Sequence, residues 1–327
     1  MGRVRRVGIL TSGGDCPGLN AAIRAFVKLA LRRGVEVWGF KNGWEGVVNG
    51  DYRVLKARDV SGILPMGGTI LGTSRFNPLK SRKDVDRALS VLDNLDALIV
   101  IGGNGSLHIA HAFQEMWGRV VFIPKTIDND VWGTESIGFN TAVDVATYLI
   151  DRLHTTAESH RRVFVVQLMG RHTGWITLYA GMASGADVMV IPEFPMSERQ
   201  ILEYILRRKR MGKSFSIVAV AEGVRYARQR EQNVGIYLQR YIAEELDIET
   251  RFVEIGYVLR GGTPTAYDRL MAHEMGHLAF ELIEEGRFGC MTAYGGYVER
   301  GMPIREAVGR LKTVPPEEYY AAIPYFG

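Results

Sequence analysis

The sequence predicts an α/β protein of two lobes with mostly parallel sheets. Three observations carry this expectation. Short apolar, β-branched runs alternate with helical stretches along most of the chain. Several of those runs end directly in glycine-rich or polar turns. At 327 residues the chain exceeds one typical domain, so two lobes are expected.

Residues 7–10 read as a short strand, followed by the turn Thr11-Ser12-Gly13-Gly14-Asp15-Cys16-Pro17-Gly18. Asn20 is the expected N-cap of a helix that ends at Gly34, a C′ residue. Residues 35–40 form the next strand, completing a βαβ unit. Residues 96–101 read as a buried strand, then Gly102-Gly103-Asn104-Gly105-Ser106 turns into a helix from about Leu107. The run 120–124 is another strand. After it, Val143, Ala146, Ile150 and Leu153 recur at spacings of three and four and mark a helical face. Strands are expected again at 163–168, 188–191, 216–220 and 251–259, the last ending in Arg260-Gly261-Gly262. No linker, low-complexity tract or close repeat separates the lobes.

Composition excludes several classes of function. A hydrophobic fraction of 46% is far from that of a disordered chain. The net charge of +4, from 40 basic and 36 acidic residues, gives little reason to expect nucleic acid or a membrane as partner. Two cysteines, Cys16 and Cys290, form neither a disulfide framework nor a zinc cluster, which suits a reducing cytoplasm. No apolar signal core opens the chain and no run reaches transmembrane length, so a cytoplasmic location is expected.

The chemistry concentrates in Lys125-Thr126-Ile127-Asp128-Asn129-Asp130, which follows the strand at 120–124. Ligands of open α/β sheets bind beyond the carboxyl ends of strands. One of the two carboxylates there would accept a proton from a hydroxyl while the other serves a metal or orients its neighbour. Glycine turns backed by helix N-termini, as at Gly13-Gly14 and at 102–106, expose backbone amides suited to phosphate, although such glycines often serve only tight turning. Arg75, Arg162, Arg171, Arg251 and Arg260 lie at turns and strand ends, and Arg171, directly after a strand, is the strongest candidate among them for a ligand contact.

His273-Glu274-Met275-Gly276-His277 matches the HExxH pattern of zinc hydrolases. Helical periodicity argues against that use. Met271, Met275, Leu278 and Leu282 define the apolar face, both histidines fall opposite it, and Glu281, Glu285 or Glu299 would have to supply a third ligand. A solvated histidine pair is the expected case.

Taken in order, the turns resemble the phosphofructokinase family. The matching segments are residues 13–20 (Gly-Gly-Asp-Cys-Pro-Gly-Leu-Asn), 67–76 (Gly-Gly-Thr-Ile-Leu-Gly-Thr-Ser-Arg-Phe), 102–106 and 124–130. Ser159-His160-Arg161-Arg162, Met169-Gly170-Arg171, Ala221-Glu222-Gly223 and Arg260-Gly261-Gly262-Thr263-Pro264 follow. The resemblance implies two Rossmann-like three-layer lobes: residues 1–138 plus 252–304 to bind the phosphoryl donor, and 139–251 plus 305–327 to bind fructose 6-phosphate. It implies phosphorylation of the sugar 1-hydroxyl, usually with MgATP, in a homo-oligomer, usually a tetramer.

By the same resemblance, Asp128 would be the base, Arg171 would stabilise charge on the moving phosphoryl group, and Thr126 and Asp130 would hold the reacting groups. Gly13, Arg75, Phe76, Gly103, Asn104, Gly105, Ser106 and Lys125 would meet the donor, with Trp44 near a nucleotide base. Met169, Gly170, Arg171, Glu222, Arg251, Tyr257 and Arg260 would hold the sugar phosphate, and Arg162 would reach a neighbouring subunit's site.

Several departures qualify the resemblance. Asn104 stands where the family has an Asp that helps hold Mg²⁺, leaving Asp130 as the anionic metal ligand. That loss keeps open a catalytically weak, sugar-phosphate-binding paralogue. Tyr257 replaces a common His, and a phenol still donates to phosphate. Gly105 goes with ATP and Lys125 more often with pyrophosphate; ATP is the favoured donor. Of the basic effector ring of bacterial members, Arg24 and Lys213 remain, Lys28 is a conservative substitute, His154, Ala57 and Met211 interrupt it, and Asp187 replaces a longer Glu that helps bind effector metal. A weak or absent response to effectors is expected.

Overall fold

The computed structural model describes residues 4–230, 233–295 and 301–327. The chain divides into two compact units, Met1–Thr141 with Arg260–Lys312, and Ala142–Leu259 with Thr313–Gly327. Both are α/β with mostly parallel sheets.

The first unit opens with β1 (Arg6–Thr11), α1 (Leu19–Arg32), β2 (Glu36–Phe40), α2 (Trp44–Asn49) and β3 (Tyr52–Val54). It continues through α3 (Arg82–Leu92), β4 (Ala97–Gly102), α4 (Asn104–Trp117) and β5 (Val120–Pro124). Helix α5 (Phe139–His160) carries the chain into the second unit. That unit contains β6 (Val163–Leu168), α6 (Trp175–Ser184), β7 (Val188–Val190), α7 (Glu198–Arg210), β8 (Ser216–Ala221), α8 (Val234–Leu246) and β9 (Thr250–Ile255). After a 3₁₀ turn at Tyr257–Arg260 come α9 (Ala266–Glu284), β10 (Cys290–Met291), β11 (Met302–Pro303) and α10 (Ile304–Ala307), and α11 (Pro316–Ala322) closes the second unit.

Strands β4 and β5 are buried along their whole length, which is why they read as unbroken apolar runs rather than as alternating patterns. The first sheet runs β11-β10-β5-β4-β1-β2-β3. The chain moves outward from β1 to β2 on one side and from β4 to β5 on the other, so strand order reverses between β1 and β4. The glycine turns after these two strands therefore flank the switch point, where open α/β sheets form their ligand crevice. The second sheet, β7-β8-β6-β9, is parallel throughout. Its reversal lies at β6, between β8 and β9.

Helix α9 packs on α1 at Gly276, where an added Cβ would come within 2.8 Å of Ala25 Cβ and 3.0 Å of the Ala22 carbonyl oxygen. The glycine inside the HExxH pattern thus serves a close helix crossing. The faces fall as periodicity predicts: Met271, Met275, Leu278 and Leu282 are buried while His273 and His277 are exposed, His277 lying 3.2 Å from Glu281. Glu299 lies outside the described residues.

Several boundaries differ from the sequence-based expectation. Asn20 does not cap α1; the N-cap is Gly18, two residues earlier and in the left-handed region (φ 99°). The Asn20 amide instead accepts from Ile70 N at 2.8 Å and donates to the Met66 and Gly67 carbonyls at 3.2 Å, pinning residues 66–70. Helix α4 begins at Asn104 rather than Leu107, because Leu107 N already bonds the Gly103 carbonyl. The strand expected over 251–259 ends at Ile255, before Gly256 and the 3₁₀ turn. The resemblance puts residues 252–259 in the first lobe, but they lie in the second unit, where 252–255 hydrogen-bond β6 and complete the second sheet. The resemblance puts residues 305–312 in the second lobe. They lie in the first unit, where Leu311 bridges Val131 and Lys312 N bonds the Asp130 carbonyl.

Candidate active site

In the first unit, three turns meet at the carboxyl ends of β1, β4 and β5. Ser106 Oγ donates to Ser12 Oγ at 2.9 Å, joining the β4 turn to the β1 turn. Gly13 adopts φ 88°, and a Cβ there would approach Ser106 Oγ to 3.4 Å and Lys125 Nζ to 3.7 Å. The Gly13 amide and carbonyl are tied to Ser74 and Thr73, which brings the Arg75-Phe76 segment beside this turn. Arg75 is exposed and Phe76 half-buried against the core. Asn104, Gly105 and Ser106 form the first turn of α4, where backbone amides lack intrahelical acceptors and the helix dipole is positive. This is the arrangement an anion needs.

Lys125 is 3% exposed, and its ammonium donates to the Gly14 carbonyl. Burial holds its pKa below the ordinary lysine value; the neighbouring Arg260 adds to that, while Cys16, Asp128 and Asp15 oppose it. Arg260 lies over Gly14, where an added Cβ would come within 3.3 Å of the guanidinium. The structure therefore places Arg260, expected at the sugar phosphate, beside the β1 turn.

The 126–130 loop is shaped by side-chain contacts. Thr126 Oγ1 accepts from Asp128 N at 3.1 Å, forming a tight turn that presents Asp128. Asn129 takes a left-handed conformation (φ 52°) and accepts from Ser136 N and Lys312 Nζ. Asp128 and Asp130 are both buried. Asn104 Nδ2 donates to the Asp130 carbonyl at 3.0 Å, linking the start of α4 to this loop. Mg²⁺ is commonly held by one or two carboxylates together with substrate phosphates. Asp130, with Asp128 two residues away, fits that donor set, whereas the amide nitrogen of Asn104 is committed to a carbonyl.

Trp44 requires a correction. It is fully buried, stacked on Phe113 at 4.5 Å between ring centroids, and its Nε1 has no hydrogen-bond partner. It is a core residue of the α2–α4 packing and offers no surface to a base.

In the second unit the expected sugar-phosphate residues fall into two groups. Met169, Gly170 and Arg171 follow β6, and Glu222 follows β8, at the carboxyl end of the sheet. Glu222 Oε1 accepts from Gly170 N at 3.2 Å and from Arg171 N at 2.9 Å. Arg171 has φ 51°, and Gly223 lies against its carbonyl, which a Cβ at 223 would meet at 2.3 Å. The exposed Arg171 side chain thus projects from a backbone fixed on both sides.

Arg162 and Arg251 lie at the other end. Arg162 immediately precedes β6, and Arg251 is the second residue of β9. Six residues of β6 separate this end from Met169, about 20 Å. Glu249, which sequence reasoning missed, joins the two arginines. Its Oε2 is 2.7 Å from Arg162 Nε, and its Oε1 accepts from Arg251 Nη2. Tyr257 is 75% exposed on the 3₁₀ turn.

The expected effector residues come from both units. Arg24 and Lys28 lie on α1. Lys213 lines a cavity of about 290 Å³ with Arg161, Lys209 and Phe215. Asp187, expected in the effector site, is buried in an ion pair with Arg208 at 2.7 Å and accepts from Ile217 N at 2.8 Å. Burial pushes its carboxyl pKa up, against the lowering effect of that hydrogen bond and of Arg208.

Comparison with known proteins bears on the family and the fold. A family profile described as Phosphofructokinase matches residues 6–283. ATP-dependent 6-phosphofructokinase 3 of Bacteroides thetaiotaomicron is 46% identical over 319 residues, covering 94% of each chain. Pyrophosphate–fructose 6-phosphate 1-phosphotransferase of Amycolatopsis methanolica is also 46% identical, over 342 residues, 98% of this chain and 100% of its own. Among solved structures, phosphofructokinase from Saccharomyces cerevisiae matches 93% of this chain with TM-score 0.86 and 31% identity. This chain spans 45% of the yeast chain. The pyrophosphate-dependent phosphofructokinase of Marinobacter aquaeolei, at 20% identity and TM-score 0.83, shares the fold. With its strand-end turns, its switch-point crevice and these relatives, the chain belongs to the phosphofructokinase family.

Proposed function

We propose that this chain transfers a phosphoryl group to the 1-hydroxyl of fructose 6-phosphate, with ATP as the donor. The observation that carries the reading is Asp128, held by Thr126 at the end of β5 beside the two glycine turns that flank the switch point. In this reading Asp128 accepts the hydroxyl proton as the sugar oxygen attacks in line, and Arg171 stabilises charge on the phosphoryl group in transit. The amides at the start of α4 and at Gly13 receive the donor phosphates. Asp130 would hold Mg²⁺, which neutralises donor-phosphate charge when bound. The opposed placement of Arg162 and Arg251 relative to Arg171 and Glu222 supports an oligomer, with a tetramer favoured, in which both arginines serve a neighbouring chain's site.

Overall likeness does not choose the donor, since relatives named for ATP and for pyrophosphate are equally similar. Gly105 favours ATP. A Cβ there would meet nothing within 4 Å, so packing does not require a glycine that weakens the helix. Its absent side chain is thus explained by room for a bulky donor. Lys125 favours the second reading, pyrophosphate, by supplying a buried cation at the donor turns. Fructose 1,6-bisphosphate formation with each donor, measured side by side, separates them. Turnover with ATP well above that with pyrophosphate is expected; the reverse establishes the pyrophosphate enzyme, and turnover with neither contradicts the proposed activity. No helix among the described residues is long and apolar enough to cross a membrane, and a cytoplasmic site of action is part of this proposal.

A further inference from the structure

The corner formed by Arg162, Glu249 and Arg251 follows from strand register. In the parallel pair β6–β9, Val163 is opposite Thr250 and Phe164 opposite Arg251. The Val163 amide bonds the Glu249 carbonyl at 3.1 Å, which fixes the start of the pair. Arg162 and Glu249 therefore face each other just before the strands begin. Arg251, two residues after Glu249, falls on the same face because side chains alternate along a strand. The carboxylate uses one oxygen for each guanidinium: Oε2 lies 2.7 Å from Arg162 Nε, and Oε1 accepts from Arg251 Nη2. The guanidiniums of Arg162, the larger cause, and of Arg251 hold the Glu249 carboxyl below the usual carboxylate range.

The exposure of this bridge argues against a purely structural role. The side chains of Glu249 and Arg251 are 47% and 55% exposed, and ion pairs so accessible to water add little to stability. What the bridge does is restrict two long, flexible side chains. Two guanidiniums free to repel each other would spread apart; tied to one carboxylate they sit side by side with a net charge of +1, each keeping donors unused by the bridge. A phosphate dianion then meets a two-pronged site whose ordering has already been achieved.

We propose that Glu249 is a positioning residue for the sugar phosphate: it holds Arg162 and Arg251 as a paired fork for the 6-phosphate of the acceptor. This inference rests on the proposed function, which assigns both arginines to a neighbouring chain's site. It predicts an effect on acceptor affinity and not on the chemical step, which takes place at the other end of the substrate.

The test is steady-state kinetics of the full-length oligomer, varying fructose 6-phosphate at saturating donor, for Glu249→Ala, Glu249→Gln and Glu249→Asp, with Arg162→Ala and Arg251→Ala alongside. Glu249→Ala and Glu249→Gln should raise KM for fructose 6-phosphate about tenfold, with kcat and the donor KM within about twofold of the parent, the size of effect seen for outer-shell partners elsewhere. Glu249→Asp, which keeps the charge, should recover much of the loss. An unchanged or lower KM in Glu249→Ala, with both arginine variants strongly impaired, overturns the role of Glu249 alone. If the arginine variants also leave KM unchanged, the assignment of this corner to the sugar phosphate fails with it. A parallel fall in kcat and melting temperature in all three Glu249 variants, without a selective KM effect, would show a structural role and also overturn the proposal.

Discussion

The side-chain amide of Asn104 donates to the backbone carbonyl of Asp130 at 3.0 Å, tying the first turn of α4 to the loop that carries both candidate acids. A carbonyl only accepts, so the nitrogen of the amide must face it, and an Asp at 104 has no proton to give there at neutral pH. The residue that departs most from the family pattern has thus acquired a local structural role. The same Asp130 carbonyl also accepts from Lys312 N, so the loop is held from two directions.

Asn104→Asp should therefore have two opposite effects. Loss of one hydrogen bond should lower stability by about 0.5–1.5 kcal/mol, visible in a denaturant melt. A new anionic oxygen near Asp130 should lower the Mg²⁺ concentration for half-maximal activity about tenfold. A magnesium titration of both proteins checks the second effect, and an unchanged midpoint would show that Asn104 does not limit metal handling.

Cys16 should be inert in the folded protein. Burial, the largest cause, pushes its thiol up to about 12, although Lys125 and Arg260 pull the other way. A thiol reagent at pH 8 should leave Cys16 unmodified until the chain is denatured. Linkage gives a second check. The unfolded thiol ionises near 9.0 and the folded one near 12, so between these values the folded state binds more protons and this group's contribution to stability falls as pH rises. Lys125, with its depressed pKa, acts in the opposite sense up to its ordinary 10.5. The difference in slope between the parent and Cys16→Ala reports the thiol together with its coupling to Lys125.

Breaking the Asp187–Arg208 pair should be costly. The two side chains are 8% and 13% exposed, and Arg208→Met leaves a buried carboxylate without its partner. A loss of about 3–5 kcal/mol is expected, measured by chemical denaturation. Because Asp187 is engaged in this way and the basic ring is interrupted at His154, Ala57 and Met211, rates should respond weakly to ADP and phosphoenolpyruvate. Strong sigmoidal inhibition by phosphoenolpyruvate would contradict that.

How legible each part was in the sequence follows from how local its cause is. Strands β1, β4, β5 and β6 were readable because central parallel strands, buried on both faces, are continuous apolar runs. The turns after them were readable because phosphate-type sites need glycines at fixed offsets. Asn20 was misread because a side chain suited to capping found acceptors and a donor some fifty residues away, at Met66, Gly67 and Ile70. Trp44 was misread because resemblance carries a position but not its burial. Glu249 and Lys312 gave no local signal. The first matters through a strand register, the second through contacts with Asn129 and Thr134, 183 and 178 residues earlier.

The central claim is that Asp128 takes the proton from the 1-hydroxyl of fructose 6-phosphate. Its most direct test compares Asp128→Ser with the parent, measuring turnover with the better donor and fructose 6-phosphate binding by calorimetry. Turnover should fall by about 10²–10⁴ or more, with sugar-phosphate affinity changed less than about threefold, since the phosphate grip is assigned to other residues. Retained turnover in Asp128→Ser, with binding intact, would contradict the account.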